Sequence, residues 1–472
     1  MARNFFHAQG LLLFALIGLV VGPVATRAAE PARTFAVISD IHFNPFAVPE
    51  LAPRLSSAPP KEWLAIFTSV TEQAFARRGE DTNQPLLSSA LVALSEQAAN
   101  ADLVIVPGDL LVHRFEEVAA QALGTSPTSE AVRSLAIKTE IYVADALRAA
   151  LPGRAILVAL GNNDSECGDY QIEPGGAFLS SSRETVRDLA GPDLLTPEFD
   201  DTYRAGGYYA VRHPTFAGTT ILVINDVLWS SNYRDACGTG GIAAAEAMMN
   251  WVERQLTEAR AAGQQVWLVH HIPVGIDSYT TQRAAAAVSC PARAAPFLKE
   301  PFASRFVMLM REYAAIIQAS FSGHTHQDGY RLVMADNNAV GVEKIAPSVS
   351  PVFGNNPGFH VFEYDQQTGR PKDFSTWYLD NLELASTTIP GEWRREYVFT
   401  EAYGQGAYSG TAVNTIAQIM GQPGTAGDQT RDIFRRLYPV SHGEIDARAL
   451  PAYVCALGNL DLSSFNACYC GK

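Results

Sequence analysis

Five short runs of β-branched and apolar residues, each cut off by a small polar cluster holding His, Asp or Asn, constrain this chain more than any other feature. The runs are residues 34–39, 103–106, 155–160, 266–269 and 319–321, each of a length suited to one buried strand. The clusters that end them are Asp40-Ile41-His42, Gly108-Asp109, Gly161-Asn162-Asn163-Asp164, His270-His271 and Gly323-His324-Thr325-His326. Helical apolar spacing fills the intervals, at 86–99, 131–150, 243–262 and 306–317. Strands alternating with helices predict an α/β architecture. Ligands of such folds gather beyond the carboxyl ends of the strands, where these clusters fall.

A Gly-Asp turn or a His pair is common by itself; the order of the five clusters and their place after apolar runs give them meaning. Carboxylate, imidazole and amide oxygen form a mixed donor set suited to zinc, iron or manganese. A structural zinc site would close with four ligands that usually include Cys. Seven candidates, Asp40, His42, Asp109, Asn162, His271, His324 and His326, suffice for two divalent ions sharing a carboxylate.

Charge narrows the partners. Thirty-five basic residues against 49 acidic ones leave a formal charge of -14, with no Lys/Arg-rich run, so a nucleic-acid groove is not expected. A phosphate ester remains open as substrate, because bound ions supply local positive charge. The first 29 residues read as a signal peptide: Arg3, an apolar core over 11–21, then small residues at Thr26, Ala28 and Ala29. An uncleaved anchor is the alternative, but the core is short and Pro23 and Arg27 follow it closely. No later stretch is long and apolar enough to span a membrane, so the mature chain is expected to be periplasmic or secreted. Six cysteines, none in a CxxC pair, fit disulfides in that compartment.

The remaining segments say less. Residues 43–83 predict either a helical cap over the site or a surface excursion, and 208–212 with 219–225 a strand pair. After Gly391 the pattern predicts a helical, cysteine-containing subdomain over 391–472, following a catalytic domain over 30–390. His270 is expected to support its neighbour rather than to bind metal, and Asp164 to stabilise its own turn. Tyr208 and Tyr209 read as strand packing, His360 as a packed histidine, and His213 and His442 as surface residues.

Together the five clusters resemble the calcineurin-like metallophosphoesterases. The resemblance implies a β-sandwich of two mixed sheets flanked by helices. It also implies that Asp40, His42 and His326 hold one ion, that Asn162, His271 and His324 hold the other, and that Asp109 bridges them. Within that family the chain is similar to the acid sphingomyelinase-like phosphodiesterases. The similarity rests on His113 shortly after Gly108-Asp109, on His271-Ile272-Pro273-Val274-Gly275, on Ala346-Pro347-Ser348 and on Gly354-Asn355-Asn356-Pro357-Gly358, and it covers roughly 34–380. It implies a disulfide between Cys455 and Cys468, and it selects His271 over His270 as ligand.

The implied activity is hydrolysis of a phosphodiester or phosphoanhydride by in-line attack of a hydroxide held between two ions, most simply zinc. Substrates in scope are lipid head groups, nucleotides and polyphosphate. One residue departs from the family pattern: Asn163 stands where many members have His. Asn can donate a hydrogen bond to a phosphoryl oxygen but cannot protonate a leaving group. That shifts the acid role to His113, with a second-sphere orienting role as its alternative. The departure also keeps two other readings open, a phosphomonoesterase or polyphosphatase (some endopolyphosphatases share GNND) and a weakened relative that only binds a phosphate ligand.

Overall fold

The five apolar runs form parallel strands of two sheets in the computed structural model, which describes residues 1–2, 33–70, 73–285 and 287–471. The expected signal segment lies outside these described residues, apart from its first two positions. Strands β1 (Arg33–Val37), β2 (Ala101–Val106) and β3 (Ala155–Val158) run parallel in one sheet. The other sheet starts from β4 (Tyr209–Arg212) and β5 (Thr219–Val223), the expected strand pair, which is antiparallel. It continues in parallel through β6 (Gln265–Val269). A short antiparallel pair, β7 (Ile276–Asp277) and β8 (Ala295–Pro296), stands apart. Next come β9 (Ile317–Ser322), β10 (Gly329–Ala335) and β11 (Asn338–Ile345), then β12 (Gly358–Tyr364), β13 (Pro371–Leu379) and β14 (Trp393–Val398). The sheet orders are β14-β13-β12-β1-β2-β3 and β10-β11-β9-β6-β5-β4. The first sheet therefore joins an antiparallel half to a parallel one, and the second carries an antiparallel strand at each edge of a parallel centre, both mixed as the resemblance implied.

Aromatic side chains fill the space between the sheets. Phe35 on β1 lies 4.9 Å from Trp267 on β6 and 5.4 Å from Phe321 on β9, and stacks at 4.8 Å on Phe362 of β12. All four are buried, and each such side chain contributes roughly 1.5–3 kcal/mol of hydrophobic stabilisation. His213 belongs to this core: it is buried, packs edge-on against Trp267 at 4.9 Å, and its Nδ1 accepts from the backbone N–H of Thr215 and Phe216. The expectation of a surface residue is thus corrected. Pro214 makes the site look like an exposed turn, but the imidazole folds inward to satisfy that turn's amides.

Helices Gln84–Gln97, Glu130–Ala150 and Gly241–Ala261 match the expected spacing, and Asn83 and Ser129 cap the first two. The fourth is displaced toward the N-terminus, to Phe302–Glu312, because Ile317 already pairs with Val266 across β9 and β6. The described part of 43–83 holds short helices over 49–57 and 60–67, anchored on Tyr142 by Phe43, Trp63 and Phe67, with ring centroids 5.4–5.5 Å apart. Past Gly391, β14 first completes a sheet beside β13, and helices follow. Those helices carry Cys455–Cys468, the pairing the resemblance implied, and Cys290–Cys470 ties the chain end to a distant loop. Among the described residues no helix is long and apolar enough to cross a membrane.

Candidate metal centre

Three parallel strands side by side bring three motif loops to one edge, and β6 and β9 bring two more from the facing sheet. Backbone bonds zip the loops together: Asp40 N–H donates to Gly108 O at 3.0 Å, His42 N–H to Asp109 O at 2.9 Å, and Gly323 N–H to His271 O at 2.9 Å. Asp164 does more than stabilise its own turn. Its carboxylate accepts from the backbone N–H of Gly161 and also from Asp109, Leu110 and Leu111, tying the GNND loop to the GD loop.

Two glycines are required for this closeness. A Cβ on Gly161 would lie 2.1 Å from Asp109 Oδ1, and one on Gly323 would lie 2.4 Å from Asp40 Oδ2. Asp40, His42, Asp109, His324 and His326 all have positive φ, between 44° and 69°. Each such backbone costs of order 1 kcal/mol and persists only where its surroundings enforce it. Here the zipped loops do so, turning five of the seven side chains inward.

The donor atoms converge in two sets. Leu111 O lies 2.9 Å from His42 Nδ1, and Pro107 O lies 3.0 Å from His271 Nδ1. A carbonyl only accepts, so both Nδ1 atoms carry hydrogen and both Nε2 lone pairs face the site, as the supporting bonds of metal-ligating histidines do. His42 Nε2 is 3.0 Å from His326 Nε2, with Asp40 Oδ1 at 3.8 and 3.5 Å from the two. His271 Nε2 is 3.0 Å from Asn162 Oδ1 and 3.3 Å from His324 Nδ1. Asp109 Oδ2 stands between the sets, 3.3 Å from His42 Nε2 and 3.2 Å from His271 Nε2.

This donor chemistry fits cations. Ring nitrogens and carboxylate oxygens lie within 4.8 Å of one another in each of three groups, His42-His113-His326, Asp109-His271-His324 and Asp40-His42-Asp109, and the His326 Nδ1 atom is buried without a partner. Burial alone would raise the Asp40 carboxyl, but His326 and His42 hold it down at about 2. Burial works against a charge on His42 and His271, yet Asp109 above all pushes them up to about 9 and about 10. His324 is held down at about 4 by burial and by His271. The carboxylates thus draw protons onto inward-facing nitrogens, the atoms for which metal ions and protons compete.

The flanking residues are as informative. His113 stacks on His42 with centroids 3.8 Å apart, and its Nδ1 lies 3.0 Å from Asp81 Oδ1. Asn163 gives both its backbone N–H and its side-chain amide to Asp109, at 2.8 and 3.0 Å. His270 is buried against Asp226 and Ser320, and Asp226 in turn accepts the backbone N–H of His271 and Ile272, which fixes the loop carrying His271. His360 is buried and bonded to Thr376, Tyr209 packs within β4, and His442 is exposed. Sequence reasoning missed Asp81, Asp169 and Asp226. None belongs to a motif cluster, and each acts through a contact made only in the fold.

A cleft of about 400 Å³ opens beside His324, walled by Tyr170, Tyr279, Phe297, Phe353 and Tyr438. Arg331 is the one Lys or Arg among the described residues lining it, and its guanidinium is spent on the carbonyls of Val274, Tyr330 and Ile276.

Residues 33–328, which carry all five clusters, match the calcineurin-like phosphoesterase family model. The chain belongs to the calcineurin-like phosphoesterase family. Residues 338–471 match a second model, the acid sphingomyelin phosphodiesterase C-terminal region. Among curated relatives, the chain is 27% identical over 406 residues to the human acid sphingomyelinase-like phosphodiesterase 3b, covering 82% of this chain and 80% of that one. It is 26% identical to the cyclic GMP-AMP phosphodiesterase SMPDL3A of Rattus norvegicus (82% and 81% covered) and 25% identical to sphingomyelinase phosphodiesterase D of Dictyostelium discoideum (84% and 82%). This calcineurin-like phosphoesterase is therefore a phosphoric ester hydrolase of a family that binds a dinuclear metal.

Proposed function

We propose that this calcineurin-like phosphoesterase is an exported phosphodiesterase that binds two zinc ions and cleaves a diester with a single phosphate. The observation that carries the reading is Asp109 Oδ2, placed 3.3 and 3.2 Å from the inward nitrogens of His42 and His271, where one carboxylate serves two donor sets. In this reading Asp40, His42 and His326 would hold the first ion, Asn162, His271 and His324 the second, and Asp109 would serve both. When bound, the ions supply positive charge to phosphoryl oxygens and lower the pKa of the attacking water.

The protein's own groups do the rest. Asn163, through its amide contact with Asp109, keeps the bridging carboxylate aligned and leaves one amide hydrogen for the substrate. His113, with Nδ1 held by Asp81, presents Nε2 to the leaving oxygen as proton donor, the role an Asn at position 163 cannot fill. The aromatic cleft beside His324 provides room for an ester substituent, and with no free Lys or Arg among its described lining residues it disfavours further phosphates, so polyphosphate ranks below a simple diester. Three disulfides suit a periplasmic or secreted setting. Residues 1–29 would be the signal peptide that takes it there.

Kinetics on bis-p-nitrophenyl phosphate and p-nitrophenyl phosphate test the reading: kcat/KM for the diester should exceed that for the monoester. Dominant monoester turnover would overturn the diesterase assignment. Zinc-loaded protein that binds such esters but turns over neither would leave only a ligand-binding role.

A further inference from the structure

Among the described residues outside the five motif clusters, one carboxylate bonds the side chain of a second-set donor directly. Asp169 Oδ1 accepts from Asn162 Nδ2 at 2.7 Å, while Asn162 Oδ1, the other end of that amide, lies 3.0 Å from His271 Nε2. The two ends of an amide are nearly the same size, but only the oxygen has a lone pair to give a metal ion. An ionised carboxylate only accepts, so it pairs with the NH2 end and repels the oxygen end. Asp169 therefore selects the rotamer that turns the Asn162 oxygen toward His271 and Asp109.

The loop carrying Asp169 is itself held. Cys167, two residues before it, is bonded to Cys237, and Arg234 reaches back from that second loop, donating its guanidinium to Asp169 O at 2.9 Å and its backbone N–H to Tyr170 O at 3.0 Å. Gly168, with φ of +106°, turns the chain where a Cβ would collide with Glu116. The next residue, Tyr170, closes the contact from the other side: its N–H donates to Asn162 O at 2.8 Å and its hydroxyl lies 3.3 Å from His324 Nε2. A disulfide-stapled loop thus rests on two of the three donors unique to the second set, and on none of those unique to the first.

We propose that Asp169 is the positioning residue of the second metal, acting through Asn162 by fixing which end of its amide faces the ion. The proposal rests on the two-metal reading above. It is tested by titrating zinc into the metal-stripped full-length protein and its variants, with the affinity of each equivalent read by calorimetry. D169A should weaken the second equivalent by roughly 10–100-fold, the usual effect of removing an outer partner of a ligand, and leave the first unchanged. D169N can turn either end of its own amide toward Asn162, so it should also weaken the second equivalent, by less than D169A does. The double variant N162D/D169A should regain the lost affinity, because a carboxylate presents an oxygen in either orientation. A wild-type second affinity in D169A, or no recovery in the double variant, would overturn the proposal. Fewer than two equivalents in the wild type would instead overturn the two-metal reading.

Discussion

Substituting Gly161 with Ala should damage the centre without touching any candidate ligand. The added Cβ would lie 2.1 Å from Asp109 Oδ1, 2.3 Å from Asp109 N and 2.6 Å from Asp109 Cγ. Carbon packs comfortably at about 3.5 Å, so the bridging carboxylate has to retreat by more than about 1 Å. Little gives way around it: Asp109 N–H is held by Asp164 at 2.8 Å and Asp109 O by His42 N–H at 2.9 Å. A displacement of about 1 Å near the reacting centre costs roughly 100-fold in rate, about 2.7 kcal/mol of barrier. Overpacking adds a stability loss of about 1–3 kcal/mol. Steady-state kinetics on bis-p-nitrophenyl phosphate and urea unfolding read these two effects separately. Gly218→Ala is the control, since nothing lies within 4 Å of its Cβ. If Gly161→Ala keeps two bound metals and a kcat/KM within about threefold of wild type, the bridging carboxylate is not held as argued.

The proton-donor assignment predicts that His113→Ala loses roughly 100-fold or more on diesters with alkoxide leaving groups and far less on nitrophenyl esters; equal losses on both would refute it. Chelation should lower the thermal midpoint measurably, because ions bound only by the folded state stabilise it and five strained backbones depend on the same loops; an unchanged midpoint would speak against the site. Burial, helped by Arg33, holds the His213 imidazole at about 4, below its usual 6.5. The unfolded chain therefore binds the extra proton between these values, and stability is lost as pH falls from about 6.5 toward 4, by up to about 3 kcal/mol. Urea unfolding at pH 4.5 and 7 should show a smaller difference in His213→Asn, and an identical difference would exclude His213 as the cause.

The parallel strands could be read in advance, and the candidate donors placed at their ends, because both leave local signals. A buried strand is a short apolar run, and its functional loop follows at once, as at Val37 to His42 or Ser322 to His326. The helix first placed at 306–317 shows where local pattern fails: Ile316 and Ile317 suit either structure, and pairing with β6 decides for the strand. His213 shows the same limit, since it packs against Trp267 and Tyr364, residues far along the chain that leave no trace in its own neighbourhood. Asp81, Asp169 and Asp226 were out of reach altogether. A lone Asp carries no signature, and only folding places Asp81 against His113, Asp169 against Asn162 and Asp226 against the backbone of His271. Within 43–83, which read as cap or excursion, Phe43 packs on Tyr142 and Asp81 reaches His113, contacts no local pattern announces.

The most direct test of the account is an anomalous-scattering map, collected at the zinc edge from crystals of the zinc-loaded protein. The account predicts two peaks about 3.5–4 Å apart, one on each side of Asp109. The first should lie among Asp40, His42 and His326, and the second among Asn162, His271 and His324. A single peak, or two peaks that do not share Asp109, would contradict it.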